Sequence, residues 1–216
     1  MESKIAISTL PFQFDELSTV SKQLAEAGAD YLHCDIMDGK FVQNLTYMPN
    51  DLVMLAQCCS LPLDVHLMMI NPIDYLDFCK KAHCVSIHYE VFDCLVDCKN
   101  AIEKIKNIGV KAGIAIDIGT PADKVVPLLE YVDLVLVMSV KAGAGGQKFD
   151  SSALEKVKLY DRIKKEKKFN YEIEIDGGIN GNNAEKCLLA GANILVSGSY
   201  VAKSTNYADA IATLKL

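Results

Sequence analysis

Apolar residues in this chain gather into short runs separated by longer segments of helical period. The runs are KIAIST from Lys4, DYLHCDI from Asp30, PLDVHLM from Pro62 and CVSIHY from Cys84, then KAGIAI from Lys111, DLVLVMS from Asp133, YEIEID from Tyr171 and NILVSG from Asn193. Rich in Val, Ile and Leu and bounded by turn residues, they predict eight strands. Between them, apolar positions recur every three or four residues. That spacing predicts amphipathic helices over Phe14–Ala27, Pro72–Lys81, Cys94–Asn107, Pro121–Tyr131, Ser151–Lys167 and Asn182–Ala190. Several of these segments run into a glycine and then directly into the next strand, as in AEAGADYL, KNIGVKAG and LLAGANIL, which is how a helix is closed. Regular alternation of strand and helix implies parallel strands joined by crossover helices. Eight such units in 216 residues predict an α/β fold: one closed (β/α)8 TIM barrel domain over residues 1–216. An open doubly wound sheet would want a phosphate-binding glycine fingerprint after its first strand, and the loop ISTLPFQF has no glycine.

Composition narrows the function. Half of the residues are hydrophobic, enough for a sizeable core, and the net charge of −6 argues against general binding of nucleic acid or a membrane surface. The segment MESKIAIST lacks the apolar core of a signal peptide, and no apolar run approaches a membrane span. The eight cysteines (Cys34, Cys58, Cys59, Cys79, Cys84, Cys94, Cys98 and Cys187) form no C-x-x-C pair. Reduced thiols and a cytoplasmic location are expected.

The candidate chemistry lies at strand ends, where barrels of this kind collect functional side chains. In DYLHCDI, alternation points His33 and Asp35 to one face and Cys34 and Ile36 to the other. His66 ends a second apolar run and Asp176 a third. Two imidazoles and two carboxylates converging from three strand ends make a site for one divalent cation that also contains two acid–base groups. Ser8, His88, Asp117, Ser139 and Ser199 complete a polar rim. Asp64 shares the face of His66, and Glu174 that of Asp176; carboxylates placed there can accept the free N–H of a ligating imidazole. Opposite these, Gly143, Gly145 and Gly146 follow the sixth strand, Gly177 and Gly178 the seventh, and Gly198 and Ser199 the eighth. Clustered glycines let the backbone approach an anion closely, so a phosphate site is expected there, with a short helix over Ser199–Ala202.

The segments HCDIMDGKFVQNLT, LDVHLM, VMSVKAGAGGQKF, EIEIDGGI and SGS, in this order and spacing, resemble the ribulose-phosphate 3-epimerase family over essentially the whole chain. The resemblance implies a metal-dependent isomerase that interconverts D-ribulose 5-phosphate and D-xylulose 5-phosphate, a pentose phosphate pathway reaction. His33, Asp35, His66 and Asp176 would hold the metal, with Asp35 as proton acceptor and Asp176 as donor. Ser8, His66, Met37, Met68 and Met138 would contact the sugar, and the glycine loops, with Ala144, its phosphate end. Zn²⁺, Fe²⁺, Mn²⁺ and Co²⁺ all suit the mixed N/O ligands. The family's dimers and hexamers imply a homo-oligomer. The chemistry is consistent with these groups. Inverting a carbon beside a ketone needs a base on one face and an acid on the other, and a cation stabilises the enediolate between them.

Three departures bear on the sugar. The family's Asn-Pro-Gly-Phe-Gly-Gly-Gln loop is Lys141-Ala142-Gly143-Ala144-Gly145-Gly146-Gln147 here, and its Asn-Pro after the fifth strand is Asp117-Ile118. Losing the proline should loosen the loop, and losing the aromatic should thin the cover over substrate. An ion pair between Asp117 and Lys141 is expected across the neighbouring strands. Tyr47-Met48-Pro49 resembles the allulose-6-phosphate 3-epimerases, so a ketohexose 6-phosphate is the alternative substrate. A catalytically silent phosphosugar-binding barrel is a further alternative. A Schiff-base aldolase is disfavoured, since only Lys4 and Lys111 belong to strands, each at the beginning.

Overall fold

Strands form where the apolar runs predict them: β1 (Lys4–Ser8), β2 (Tyr31–Met37), β3 (Leu63–Met68), β4 (Cys84–His88), β5 (Lys111–Ile116), β6 (Leu134–Met138), β7 (Glu172–Asp176) and β8 (Ile194–Ser197). The computed structural model describes residues 3–215. Each strand runs parallel to the next, and β8 pairs back onto β1, so the sheet closes into a (β/α)8 TIM barrel. Closure leaves no sheet edge to protect.

The helices are α1 (Leu17–Glu26), α2 (Pro49–Cys58), α3 (Leu95–Asn107), α4 (Ala153–Lys167), α5 (Ala184–Ala190), α6 (Ser199–Ala202) and α7 (Tyr207–Ala212). Two of them, α2 and α7, have no counterpart among the sequence-predicted helices. Helix α2 starts with Pro49, and the Asp51 carboxylate accepts the Met48 N–H at 2.7 Å. Its outer face carries the exposed Met54, which blurs the amphipathic period. Helix α7 is only six residues long, too short to show a period, and depends on the Asn206 side chain, which accepts the N–H groups of Ala208 and Asp209. The expected helices over Pro72–Lys81 and Pro121–Tyr131 are instead 3-10 segments, Pro72–Cys79 and Ala122–Leu128. In the second, Pro127 supplies no N–H for an α-helical bond. In the first, the tighter winding still buries Pro72, Leu76 and Cys79.

Period-two alternation sorts the strand residues into two layers. Ile5, Ile7, Leu32, Cys34, Ile36, Val65, Leu67, Val135, Val137, Ile173 and Ile175 face outward into the shell shared with the helices. Burying each such side chain contributes about 1.5–3 kcal/mol. Inside the barrel an apolar cluster of Ala6, Tyr31, Cys84, Ala115, Leu134, Leu136, Met138, Ile194 and Val196 fills part of the space. Strands β2, β3, β4 and β7 also carry polar inner positions: His33, Asp35, Asp64, His66, Ser86, His88 and Glu174 are all buried. The interior is thus divided between a packed apolar side and a charged side.

All eight cysteines are unpaired. No helix among the described residues is long and apolar enough to cross a membrane.

Glycine closes α5 for a geometric reason. Gly191 has φ +115°, and a Cβ there would collide with the side chain of Asp161 on α4. Gly191→Ala is expected to destabilise the barrel by about 1–3 kcal/mol, read as a lower denaturation midpoint with an unchanged slope.

Candidate active site

Strand register assembles the polar side of the interior. Pairing of β2 with β3 puts His33 opposite Asp64 and Asp35 opposite His66, while β6 and β7 put Met138 opposite Asp176. One potential ligand atom from each of His33, Asp35, His66 and Asp176 lies within 4.8 Å of the others. The sequence-predicted quartet is therefore brought together from three strand ends. His33 Nε2 is buried, has no hydrogen-bond partner and lies 3.4 Å from Asp35 Oδ1. A buried ring nitrogen left without a partner beside a carboxylate, with two more donors near it, fits a divalent cation of mixed N/O preference.

Hydrogen bonds fix these side chains from behind. Asp64 Oδ2 lies 2.6 Å from His33 Nδ1, so the carboxylate on the face of His66 serves the other histidine; Glu174 is 3.7 Å from the same nitrogen. Ser8 Oγ donates to Asp35 Oδ2 at 2.9 Å, and Asp35 Oδ1 lies 3.1 Å from His66 Nδ1. The other ring nitrogen, His66 Nε2, meets His88 Nε2 at 2.9 Å. His88 Nδ1 lies 2.9 Å from Glu90 Oε2, and Glu90 Oε1 accepts the Asp117 N–H at 2.8 Å. Sequence reasoning placed His88 on the rim and missed Glu90, whose only signal is its position two residues on. It also missed Thr46, whose hydroxyl donates to Asp35 O at 2.7 Å and accepts the Met37 N–H at 2.9 Å.

The electrostatics set the carboxyls apart. Burial alone would raise Asp35, but the His33 charge beside it outweighs that and keeps the carboxyl well below the usual range. Burial and the Asp35 charge push Asp176 up to about 7. Burial, together with the charge on Asp64, also pushes Glu174 well above the ordinary carboxyl range. Burial would lower His33, yet Asp35 and Asp64 on either side raise it, so its second proton stands where a cation would bring positive charge. His66 is neutral: burial takes it down to about 4 against the raising influence of the Asp35 carboxylate beside it. Two carboxylates are therefore held in different protonation states in one site.

A cavity of about 490 Å³ opens over the quartet. Its wall contains Ser8, Asp35, Met37, Met68, Met138, Asp176 and, across from them, Gly143, Ala144, Gly145, Gly146, Gly177, Gly178, Gly198 and Ser199. His33 and His66 are not on this wall; both are fully buried behind it. Gly178 illustrates how closely the loops approach: at φ +64°, a Cβ would lie 2.6 Å from the Phe149 nitrogen and 2.7 Å from the Gln147 oxygen. Helix α6 covers the predicted Ser199–Ala202.

The loop after β6 differs from expectation in one contact. Among the described residues no ion pair joins Asp117 to Lys141; Asp117 Oδ1 instead accepts the Ile118 N–H at 2.8 Å and the Ala142 N–H at 3.3 Å. Two backbone donors within reach satisfy that carboxylate and leave Lys141 exposed to solvent. The Gln147 amide donates to Lys141 O and Ala144 O, both at 2.8 Å, and Asn44 donates to Gly143 O at 2.7 Å. These bonds tie the loop down where the proline is missing.

Residues 4–202 match the family described as the Ribulose-phosphate 3 epimerase family. The "Ribulose-5-phosphate-3-epimerase, chloroplastic" of Arabidopsis thaliana is 40% identical over 213 residues, covering 98% of this chain and 75% of that one. The "Ribulose-phosphate 3-epimerase" of Bacillus subtilis (strain 168) is 39% identical over 215 residues, 98% of each chain. Among solved structures, 3-hexulose-6-phosphate synthase from Salmonella typhimurium superposes with a TM-score of 0.70 at 14% identity, over 98% of this chain and 96% of its own, which is a likeness of fold.

Cation binding here must displace protons. Asp176 is neutral below about 7 and a ligand only when ionised, so affinity rises with pH through that range. The Asp176 proton alone predicts a gain of at least roughly tenfold in Zn²⁺ or Co²⁺ affinity from a pH of about 6 to about 8, with proton release measurable by calorimetry in two buffers.

Proposed function

The chain belongs to the Ribulose-phosphate 3 epimerase family, and we propose that it interconverts D-ribulose 5-phosphate and D-xylulose 5-phosphate with Asp35 and Asp176 as its proton-transfer groups. It is an isomerase acting on carbohydrate phosphates. One observation carries the two-carboxylate assignment: Asp35 on β2 and Asp176 on β7 line the same cavity. In this reading Asp35 removes the proton from carbon 3 of the ketose, and Asp176 returns one to the opposite face. The reverse reaction exchanges their roles. Ser8, through its 2.9 Å bond, holds the second Asp35 oxygen in place at the cavity wall. Met37, Met68 and Met138 form an apolar surface that limits access of water to the reacting carbon. The glycine loops after β6, β7 and β8 direct backbone N–H groups at the phosphate.

His33, Asp35, His66 and Asp176 would hold the divalent metal, Zn²⁺, Fe²⁺, Mn²⁺ or Co²⁺. Bound there, it supplies Lewis-acid stabilisation of negative charge on the ketose oxygens. Assembly into a homo-oligomer belongs to the same reading, supported by the exposed apolar side chains of Met48, Met54 and Ile70. A cytoplasmic location belongs to the same reading, supported by the free thiols.

A ketohexose 6-phosphate is the second reading. Ala144 stands where the family's loop has an aromatic residue, and this opens the cavity wall to a longer sugar.

Asp35→Asn and Asp176→Asn are each expected to lower kcat by about 10²–10⁴-fold. Cys34→Ser should leave it unchanged, because Cys34 faces the outer shell. Near-normal turnover by Asp176→Asn would remove the two-carboxylate assignment. Exchange of the carbon-3 hydrogen in deuterated water separates an enzyme from a silent binder. Comparison of kcat/KM for ribulose 5-phosphate and allulose 6-phosphate is expected to favour the pentulose. In the variant Ala144→Phe that preference should increase.

A further inference from the structure

We propose that His88 and Glu90 are positioning residues that hold His66 in the one tautomer able to ligate a cation, through a hydrogen-bond chain whose polarity runs outward from the site. The inference rests on the cation reading above and adds two residues to it.

The chain has a fixed end. Glu90 Oε1 lies 2.8 Å from the backbone nitrogen of Asp117, a group that can only donate. The other carboxylate oxygen lies 2.9 Å from His88 Nδ1 and, ionised, can only accept. His88 therefore carries its proton on Nδ1 and presents a lone pair at Nε2. That lone pair lies 2.9 Å from His66 Nε2, which must then be the donor. A neutral His66 protonated on Nε2 has its lone pair on Nδ1, and Nδ1 is the nitrogen beside Asp35, 3.1 Å from Oδ1. The result is an imidazole with its free electron pair aimed into the ligand quartet.

The ring geometry supports this assignment. The His66 and His88 centroids are 5.0 Å apart with planes only 26° from parallel, while the facing nitrogens are 2.9 Å apart. The rings meet edge to edge, as an in-line N–H···N bond requires. Phe41 packs on His88 with centroids 4.9 Å apart and fixes its ring plane. Both imidazoles are fully buried, so water cannot substitute for either partner. The opposite polarity puts His66 Nδ1–H toward Asp35 and leaves two acceptors facing each other at His88 Nδ1 and Glu90, unless His88 carries both ring protons. That arrangement offers a cation no lone pair from His66.

Glu90→Gln provides a direct test. Its carbonyl oxygen keeps the Asp117 N–H, so its amide NH2 turns toward His88 Nδ1 and inverts the chain. In the Zn²⁺-loaded native protein, nitrogen-15 NMR of the histidine rings is expected to show His66 protonated at Nε2 and His88 at Nδ1. Zn²⁺ affinity, measured by chelator competition, is expected to fall by about 10–100-fold in Glu90→Gln. A loaded native protein with His88 protonated at Nε2 overturns the proposal. So does a folded Glu90→Gln variant that binds Zn²⁺ within about twofold of native. If the variant does not fold, the NMR tautomer decides alone. A native protein that binds no Zn²⁺ overturns the cation reading and this proposal together, an outcome distinct from the other two.

Discussion

Crowding of negative charge inside a dry barrel is the constraint on which this molecule turns. Asp35, Asp64, Glu174 and Asp176 all approach one imidazole, His33, with Asp64 2.6 Å and Glu174 3.7 Å from Nδ1 and Asp35 3.4 Å from Nε2. Like charges so placed cannot all ionise without compensation. The protein answers in three ways: a doubly protonated His33, a neutral Glu174 and a neutral Asp176. Each is a proton that a dication can replace. The same repulsion thus favours a cation among these groups.

The closed barrel makes that arrangement rigid. Were β1 and β8 unpaired, the inner positions of β2 and β7 could drift apart and relieve the repulsion by hydration. Ladder pairing around the whole ring fixes their spacing. The apolar cluster of Leu134, Leu136, Met138, Ile194 and Val196 fills the opposite side of the interior, and so keeps water from the charges. Stability and site chemistry therefore draw on the same packing. The charged side of the interior is tolerated because the outer shell, with its long run of buried Ile, Leu and Val, stabilises the fold independently.

Much of this was readable from residue order, for reasons that differ by feature. Period-two alternation placed His33 and Asp35 on one face because a strand admits no other arrangement. The quartet followed from strand ends, since a closed barrel brings its ends to one rim. Helix α2 escaped notice because an apolar residue, Met54, stands on its exposed face, and α7 because six residues are too few for a period. Asp117 and Lys141 looked like a pair by proximity of strands. Two backbone N–H groups compete for the same carboxylate, and no pattern in the sequence reveals them. Glu90 was hidden for a similar reason. Its importance comes from a 3-10 turn, Tyr89–Val91, that swings its carboxylate back under His88, and turns of this length leave no periodic signal.

These misses share a cause with bearing on how the site varies among relatives. What the sequence shows well is the set of groups that touch substrate or cation, because strand alternation governs them. What it shows poorly is the set of loop atoms that orient those groups, because each depends on one backbone donor reached by a local turn. The Asp117 N–H is such an atom: it ends the chain that begins at His66 and lies in a loop where the family's asparagine and proline are replaced. Replacing a side chain there leaves its own backbone N–H in place, so long as position 117 keeps its turn. Lys156 holds that turn by donating to the carbonyls of Asp117, Ile118 and Thr120 at 2.6, 2.9 and 2.6 Å. A buried lysine on α4 thus anchors the loop whose backbone fixes Glu90, and with it the imidazole that faces the quartet.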